Sequence, residues 1–199
     1  DRMIKNNVDD KNFLEVVIAP SVHDDALDLL RTKPRLRIVE LSVETQGWEG
    51  RSVLGGMLLQ TKQKFRSREA WECVTELSPT EAQWNDLEFA SKVVCAVKSN
   101  AIVLVRDGNL LAVGSGQTSR VAALRLALST ARERCIDLKT CVLASDGFFP
   151  FDDCIKLAVD AGVSAVVQPG GSKRDSDSIK AANNGKISMM FSNQRWFKH

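Results

Sequence analysis

The chain is poor in the residues that build metal centres and cross-linked scaffolds. Only two histidines, His23 and His199, occur in 199 residues, so a histidine-based metal site has little to draw on. The five cysteines, Cys73, Cys95, Cys135, Cys141 and Cys154, are odd in number and include no C-x-x-C pair. That argues against a disulfide framework and for thiols packed as small core residues in a reducing, cytoplasmic setting. No apolar run approaches the ~20 residues that a membrane span needs, and residues 1–10 are polar. A dominant charge is missing too: 27 basic and 25 acidic side chains leave a formal net charge of +2. Neither a polybasic nucleic-acid surface nor an acidic tail is implied. With 44% apolar residues, the chain can instead bury a core as one large domain or two small lobes.

Residues 14–19 form an apolar run closed by Pro20, the pattern of a buried strand. A helix follows, with Ser21 as its cap and Ala26, Leu27, Leu29 and Leu30 as its apolar side, before the Lys33-Pro34 break. Residues 37–41 read as a second strand, so the first 44 residues suggest a βαβ unit with a parallel pair. Residues 45–75 carry Gly47, Gly50, Gly55 and Gly56 between short β-like pieces at 57–60 and 72–75.

Beyond that, Ser78-Pro79-Thr80-Glu81 reads as a capping box opening a helix over 79–97. Residues 101–105 and 110–113 flank Asp107-Gly108-Asn109 as a hairpin. Residues 114–119 lead into a helix lined by Val121, Leu124 and Leu128. Another strand-to-helix turn follows Leu143, and 164–168 and 187–191 read as further strands around a helix ending near Asn183. The alternation predicts an α/β fold with three layers and a mixed sheet.

Four segments carry chemistry. Gly114-Ser-Gly-Gln-Thr-Ser-Arg120 can present backbone N–H groups and a guanidinium to an anion, or can be a plain tight turn. Residues 145–153 set three phenylalanines and a proline beside three carboxylates. They can anchor the core, or Phe148 can meet a planar ligand while a carboxylate reads its ring N–H groups. Pro169-Gly-Gly-Ser-Lys173 sits at the end of a strand, where open α/β sheets place ligands, and can equally be a bare turn. In the terminal Gln194-Arg-Trp-Phe-Lys-His199, Trp196 and Phe197 imply a docked tail rather than a frayed one.

These segments, with Lys98-Ser-Asn-Ala-Ile102, stand in an order and spacing that resembles the formyltransferase region of the bifunctional purine-biosynthesis enzymes, which couple AICAR transformylase to IMP cyclohydrolase. The likeness begins near Glu15 and runs to the last residue. It implies that residues 1–44 are the end of the preceding lobe or linker region and that residues 45–199 are a cytidine-deaminase-like lobe, the C-terminal one of the transformylase, in a homodimer with shared active sites. The other lobe, which holds the family's Lys-His pair for proton transfer, and the cyclohydrolase domain would lie outside these residues.

The reaction implied is formyl transfer from the cosubstrate 10-formyltetrahydrofolate to the amine of aminoimidazole carboxamide ribotide (AICAR). That amine is a weak nucleophile, so a site must orient it, remove a proton and stabilise a tetrahedral oxyanion. By resemblance Glu15, Asn100, Arg120, Phe148 and Arg195 contact the ribotide, and Val121, Asp153, Ser172 and Lys173 line the folate site. Arg195 suits the phosphate, Asp153 the pterin, and Asn100 and His199 the transferring carbon. No zinc is implied, and a structural potassium ion is left open.

Two departures stand out. The family commonly has arginine where Asp152 stands, which reverses the charge near the folate site, and often has alanine where Gly147 stands, read as a purely structural change. A zinc deaminase is excluded by the missing His/Cys-x-Glu and Pro-Cys-x-x-Cys signatures. The alternative is a non-catalytic nucleotide-binding or dimerisation module.

Overall fold

Residues 102–105, 142–145, 165–168 and 188–191 are rich in apolar side chains on both strand faces, which calls for cover on both sides of a sheet. In the structure, a computed structural model describing residues 15–42, 47–61 and 64–198, all four segments are buried strands. The chain divides into two compact units between Lys64 and Phe65, against the expected division at 44/45. The residues between these positions hold a hairpin that clusters with the first unit.

In the first unit β1 (Val16–Ala19) and β2 (Arg37–Glu40) pair in parallel around α1 (Asp24–Arg31), giving the expected βαβ arrangement. The buried character expected of β1 is not observed: Val16 and Ile18 are exposed. A two-stranded sheet beside one helix has a single covered face, so alternate residues stay outside. His23, not Ser21, is the cap residue of α1, without a side-chain cap bond. β3 (Trp48–Val53) and β4 (Gly56–Thr61) form an antiparallel hairpin turned at Leu54-Gly55, with every strand residue exposed. Of this hairpin only β4 was anticipated, because Glu49, Gly50 and Arg51 interrupt any apolar pattern in β3.

The second unit is built on one six-stranded sheet. Its strands are β5 (Glu72–Cys73), β6 (Ile102–Arg106), β7 (Asn109–Gly114), β8 (Val142–Ser145), β9 (Ala165–Gln168) and β10 (Ser188–Phe191), in the order β5-β10-β9-β8-β6-β7. β8, β9 and β10 run parallel, while β5, β6 and β7 pair antiparallel, so the mixed pairing is as expected.

Helices cover both faces, and the strand residues divide accordingly. Val103, Val105, Val142, Ala144, Ala165, Val167 and Met190 pack with Leu87, Ala90 and Val94 of α2 (Glu81–Val94). Their neighbours Ile102, Leu104, Leu143, Val166 and Met189 pack with α3 (Arg120–Glu133), α4 (Asp153–Asp160) and α5 (Asp175–Asn184). Each valine, leucine, isoleucine or methionine among them that leaves water contributes about 1.5–3 kcal/mol. Among the described residues no helix is long and apolar enough to cross a membrane.

The α2 boundary corrects the expectation of 79–97. Thr80 Oγ1 accepts from the Gln83 N–H at 3.3 Å and Gln83 Oε1 accepts from the Thr80 N–H at 2.8 Å. The capping box is therefore two residues later than Ser78–Glu81, because both frames satisfy the pattern. Beyond Val94 the backbone tightens into i→i+3 bonds at Ala96 and Val97. The Asp107-Gly108 turn has φ of 52° and 69°, the double positive φ of a tight hairpin. Asp86 of α2 clamps it, accepting from both turn N–H groups at 2.8 and 2.7 Å.

Candidate active site at one end of the central sheet

Strand register decides where the chemistry-bearing segments meet. Ile102, at the start of β6, pairs with Gly114 at the end of β7 and with Ser145 at the end of β8. Ala144 pairs with Val167, and Phe191 with Gln168. One end of the sheet thus holds the start of β6 and the ends of β7, β8, β9 and β10, and segments 98–101, 115–120, 146–153, 169–173 and 192–198 all leave from it. This is the end of a sheet at which α/β folds bind ligands.

The tail docks there. The Trp196 N–H donates to the Asp146 carbonyl at 2.8 Å, the Ser99 N–H to the Lys198 carbonyl at 2.9 Å, and the Lys198 N–H to Ser99 Oγ at 3.0 Å. Trp196 is buried and stacks on Phe65 with centroids 5.8 Å apart, and Phe65 meets Trp71 edge-on. Phe197, also expected to anchor the tail, remains half exposed. Docking carries Arg195 over the Phe148 ring, 4.9 Å from its centroid, a distance suited to cation–π attraction.

Arg120 reaches the same loop from the first turn of α3, whose cap Ser119 accepts from the Ala122 N–H at 3.2 Å. Its Nη2 donates to Asp146 Oδ1 at 3.0 Å and its Nη1 to the Phe148 carbonyl at 3.2 Å. Asp146 is fully buried and its N–H donates to the Ala101 carbonyl at 3.2 Å, which places this ion pair beside Asn100. Asn100 Nδ2 donates to the Gln117 carbonyl at 2.8 Å, and the Asn100 N–H reaches the same oxygen at 3.1 Å. Asp146 Oδ2 and Arg120 Nε are buried without a hydrogen-bond partner.

The loop after β9 is shaped by what surrounds it. Gln168 is fully buried; its Oε1 accepts from the Phe149 N–H at 2.8 Å, so it ties this loop to the one carrying Phe148. Gly170 has φ of 72°, and a side chain there would strike the Phe191 ring. Asp175 Oδ2 accepts from the N–H groups of Gly171 and Ser172 at 2.7 and 3.1 Å. A Cβ on Gly171 would stand 3.9 Å from Arg195 Nη2, so this loop borders the Arg195–Phe148 pair.

The structure therefore brings Asn100, Arg120, Phe148 and Arg195 into one neighbourhood. Ser172 is nearby, its Oγ accepting from the Arg174 N–H at 3.2 Å, and Lys173 is exposed. Asp153 begins α4 and spends Oδ1 on the Cys154 N–H at 2.8 Å. Val121 is half-buried and packs on the core. Glu15 belongs to the first unit, where its carbonyl accepts from the Arg37 N–H at 2.9 Å. His199 lies outside the described residues.

At the departure from the family pattern, Asp152 meets Lys156 at 2.7 Å, and this hydrogen bond raises the lysine pKa. The reversed charge at 152 thus carries its own counter-ion, while Arg174 stands over the Phe151 ring at 5.0 Å. The cysteines split: Cys141 and Cys154 are buried and Cys95 half-buried, but Cys73 and Cys135 are exposed rather than core residues. Burial pushes the thiols of Cys95, Cys141 and Cys154 up to about 12, which withholds thiolate nucleophiles at neutral pH. Among the described residues no three His, Cys, Asp or Glu side chains converge as a metal set would.

Sequence reasoning identified Arg120, Phe148 and Arg195 but missed Asp146 and Gln168 as their supports. Asp146 stands inside the 145–153 segment and Gln168 immediately before Pro169, and a polar residue next to a strand's last apolar positions was the available signal.

Comparison with known proteins adds the family. The family model described as AICARFT/IMPCHase bienzyme matches residues 1–130. The chain is similar to the bifunctional purine biosynthesis protein PurH of Caldicellulosiruptor saccharolyticus, 48% identical over 192 residues, covering 95% of this chain and 37% of the relative. It is also similar to PurH of Synechococcus elongatus, 45% identical over 190 residues, covering 94% and 36%. The chain thus spans little more than a third of these relatives' length. Among solved structures, the apo dCMP deaminase of cyanophage S-TIM5 is 18% identical with a TM-score of 0.41, covering 56% of this chain and 98% of that one. A Thermotoga maritima diaminohydroxyphosphoribosylaminopyrimidine deaminase/5-amino-6-(5-phosphoribosylamino)uracil reductase is 24% identical with a TM-score of 0.39, covering 54% and 34%. Both likenesses are too distant to build on. By its sequence, the chain belongs to the AICARFT/IMPCHase bienzyme family.

Proposed function

We propose that the second unit supplies part of a phosphoribosylaminoimidazolecarboxamide formyltransferase site, in which 10-formyltetrahydrofolate gives its formyl group to the AICAR amine. The observation that carries this reading is the convergence of five sequence-distant motifs at one sheet end, with the exposed Arg195 guanidinium over Phe148. A ribotide would set its heterocycle near Phe148 and its phosphate on Arg195, whose fork can bond two oxygens. Asn100, beside the Arg120–Asp146 pair, would offer amide hydrogen bonding as the attacked carbonyl becomes an oxyanion. The folate would lie toward Asp153, Ser172 and Lys173, with Asp153 reading pterin N–H groups. A three-layer, cytidine-deaminase-like lobe is the fold reading attached to this function, supported by helices on both faces of the mixed sheet.

In formyl transfer the amine attacks the formyl carbon, its proton leaves to a base, and the tetrahedral intermediate collapses to release tetrahydrofolate. Near Phe148 no described side chain suits that base: the site offers guanidinium, amide and a carboxylate already paired with Arg120. Proton transfer is assigned to residues beyond this site, and the isolated chain is expected to bind ligand with negligible turnover. The described residues do not fit a structural potassium ion at this sheet end: Asp146 Oδ2 is a lone unpartnered oxygen, and the Arg120 guanidinium already holds the same carboxylate.

Calorimetric titration of the chain with AICAR ribotide and with the nucleoside lacking the phosphate tests the reading. Binding of the ribotide, weaker for the nucleoside, is expected; no ribotide binding at millimolar concentration would overturn it. That the described residues beside Phe148 offer no base, His199 standing outside them, favours as a second reading a nucleotide-binding module without catalysis. Formyl transfer restored by adding the remaining part of a PurH relative separates the two.

A further inference from the structure

Side chains of the tail alternate between two parts of the second unit. Gln194 and Trp196 meet the residues with which that unit begins. The Arg66 N–H donates to Gln194 Oε1 at 3.1 Å, and the Trp196 indole stacks on the Phe65 ring at 5.8 Å with the two planes 12° apart. Arg195 and Phe197 meet the loop after β8 instead. The Arg195 guanidinium stands over Phe148, and Phe197 Cε1 lies 3.1 Å from where a Cβ on Gly147 would be. A period of two is that of an extended segment, so a grip on residues 194 and 196 decides which way 195 faces.

Backbone bonds hold the tail on either side of this arginine, at Asn193, whose N–H donates to the Pro169 carbonyl at 3.0 Å, and at Trp196. The side chains on its two flanks are held by Phe65 and Arg66. Phe65 is itself fixed: its ring stands at 71° to that of the buried Trp71 with centroids 6.4 Å apart, and the Lys92 ammonium of α2 lies 5.4 Å from its centroid. A line of aromatic contacts thus leads from the core under α2 through Trp71 and Phe65 to Trp196, and each is of the edge-on or stacked kind that contributes beyond the area it buries.

We propose that Phe65 is a positioning residue: by holding Trp196 it keeps Arg195 over Phe148 and gives the site its preference for a ligand that carries a phosphate. The proposal rests on the formyltransferase reading and adds to it a residue that touches no ligand. A guanidinium on a loose tail would have to be ordered as the phosphate binds, whereas a docked one is ordered beforehand. The heterocycle contact is independent of this grip, because the Phe149 N–H and the buried Gln168 fix the loop that carries Phe148.

The test uses the 199-residue chain with Phe65→Ala and, as the variant that restores a ring, Phe65→Tyr. Without ligand the readout is proton NMR. An aromatic ring shields nuclei above its face, so the Arg195 Nε–H and δ-methylene signals should stand upfield of ordinary arginine positions. That displacement should vanish in Phe65→Ala and return in Phe65→Tyr. With ligand, Phe65→Ala should weaken AICAR ribotide by roughly 2- to 10-fold, the range that one aromatic pair contributes. The phosphate-free nucleoside should bind as before, and the ratio of the two affinities is the measure, since partial unfolding lowers both alike. In an Arg195→Ala background Phe65→Ala should leave the ribotide affinity where it is.

Upfield signals that survive Phe65→Ala would show that burial of Trp196 is enough to place Arg195, and would overturn the proposal. So would an equal loss for ribotide and nucleoside, or a further loss of ribotide in the Arg195→Ala background. If the wild-type chain binds neither probe, the formyltransferase reading falls, and the ligand-free signals still decide whether Phe65 positions Arg195.

Discussion

The Arg195 guanidinium carbon lies 4.9 Å from the centre of the Phe148 ring, so a cation from the end of the chain covers an aromatic face presented between β8 and α4. Lysine at 195 would keep the charge but replace a planar fork by a point donor. Arg195→Lys should weaken ribotide binding by roughly 1.5–3 kcal/mol, or ~10- to 100-fold. Folate binding and melting temperature should barely change, since Trp196 still holds the tail. Titrations with both ligands and a thermal melt check this; unchanged ribotide affinity would show that Arg195 does not hold the phosphate.

Gln168 offers a prediction on how the two loops are coupled. Its side chain is fully buried, accepts from the Phe149 N–H and reaches Met189 Sδ at 3.3 Å. Gln168→Leu keeps much of the volume but strands that N–H, at a cost of about 1–3 kcal/mol. Urea unfolding should register the loss, and ribotide affinity should fall with it, because Phe148 precedes the released group. A stability loss without an affinity loss would mean that Gln168 supports the core alone.

Much of this architecture was legible because local rules and register agree. Asp107-Gly108 announced its hairpin, and the apolar runs of β8, β9 and β10 announced a sheet buried on both faces. The five motifs could be seen to belong together, yet not why: Ile102 facing both Gly114 and Ser145 is a matter of strand order, which composition does not encode. Local ambiguity cost the α2 start, where Ser78–Glu81 and Thr80–Gln83 fit one capping pattern. Partners distant in sequence were invisible for the same reason. Nothing near Asp86 signals that its two oxygens take the N–H groups of Asp107 and Gly108, and nothing at Gly147 signals a guanidinium packed where its side chain would be.

Thiol chemistry should separate the five cysteines. In native chain at pH 8, iodoacetamide should modify the exposed Cys73 and Cys135, and should reach Cys95, Cys141 and Cys154 only after unfolding. The sign of the stability effect follows from burial raising those three thiols to about 12. Between the ordinary thiol value and about 12 the unfolded chain gives up protons that the folded chain keeps, so stability present below that window falls as pH rises through it. Mass spectrometry of the labelled protein and urea midpoints across alkaline pH measure both. Rapid native labelling of Cys141 would contradict the burial.

The last prediction concerns the hairpin of the first unit, whose two faces differ. Its register pairs Trp48 with Thr61, Gly50 with Leu59 and Ser52 with Met57, so these six side-chain positions share one face. On that face Met57 and Leu59 both lie against Gly50, within 3.0 and 3.3 Å of where its Cβ would be, and Trp48, Met57 and Leu59 are exposed. The opposite face carries Glu49, Arg51, Val53, Gly56, Leu58 and Gln60, a mixture that water tolerates. If the chain forms a homodimer, the face of Trp48, Met57 and Leu59 is the one whose burial would reward it, at ~25 cal/mol for each Å² of apolar surface covered. Light scattering on the chain at micromolar concentration should then report a dimer, Leu59→Lys should shift it toward monomer, and Leu58→Lys on the other face should leave it unchanged. Equal effects of the two lysines would show that the hairpin acts through its fold and not through one face, and a monomeric wild-type chain would remove the homodimer reading for these residues.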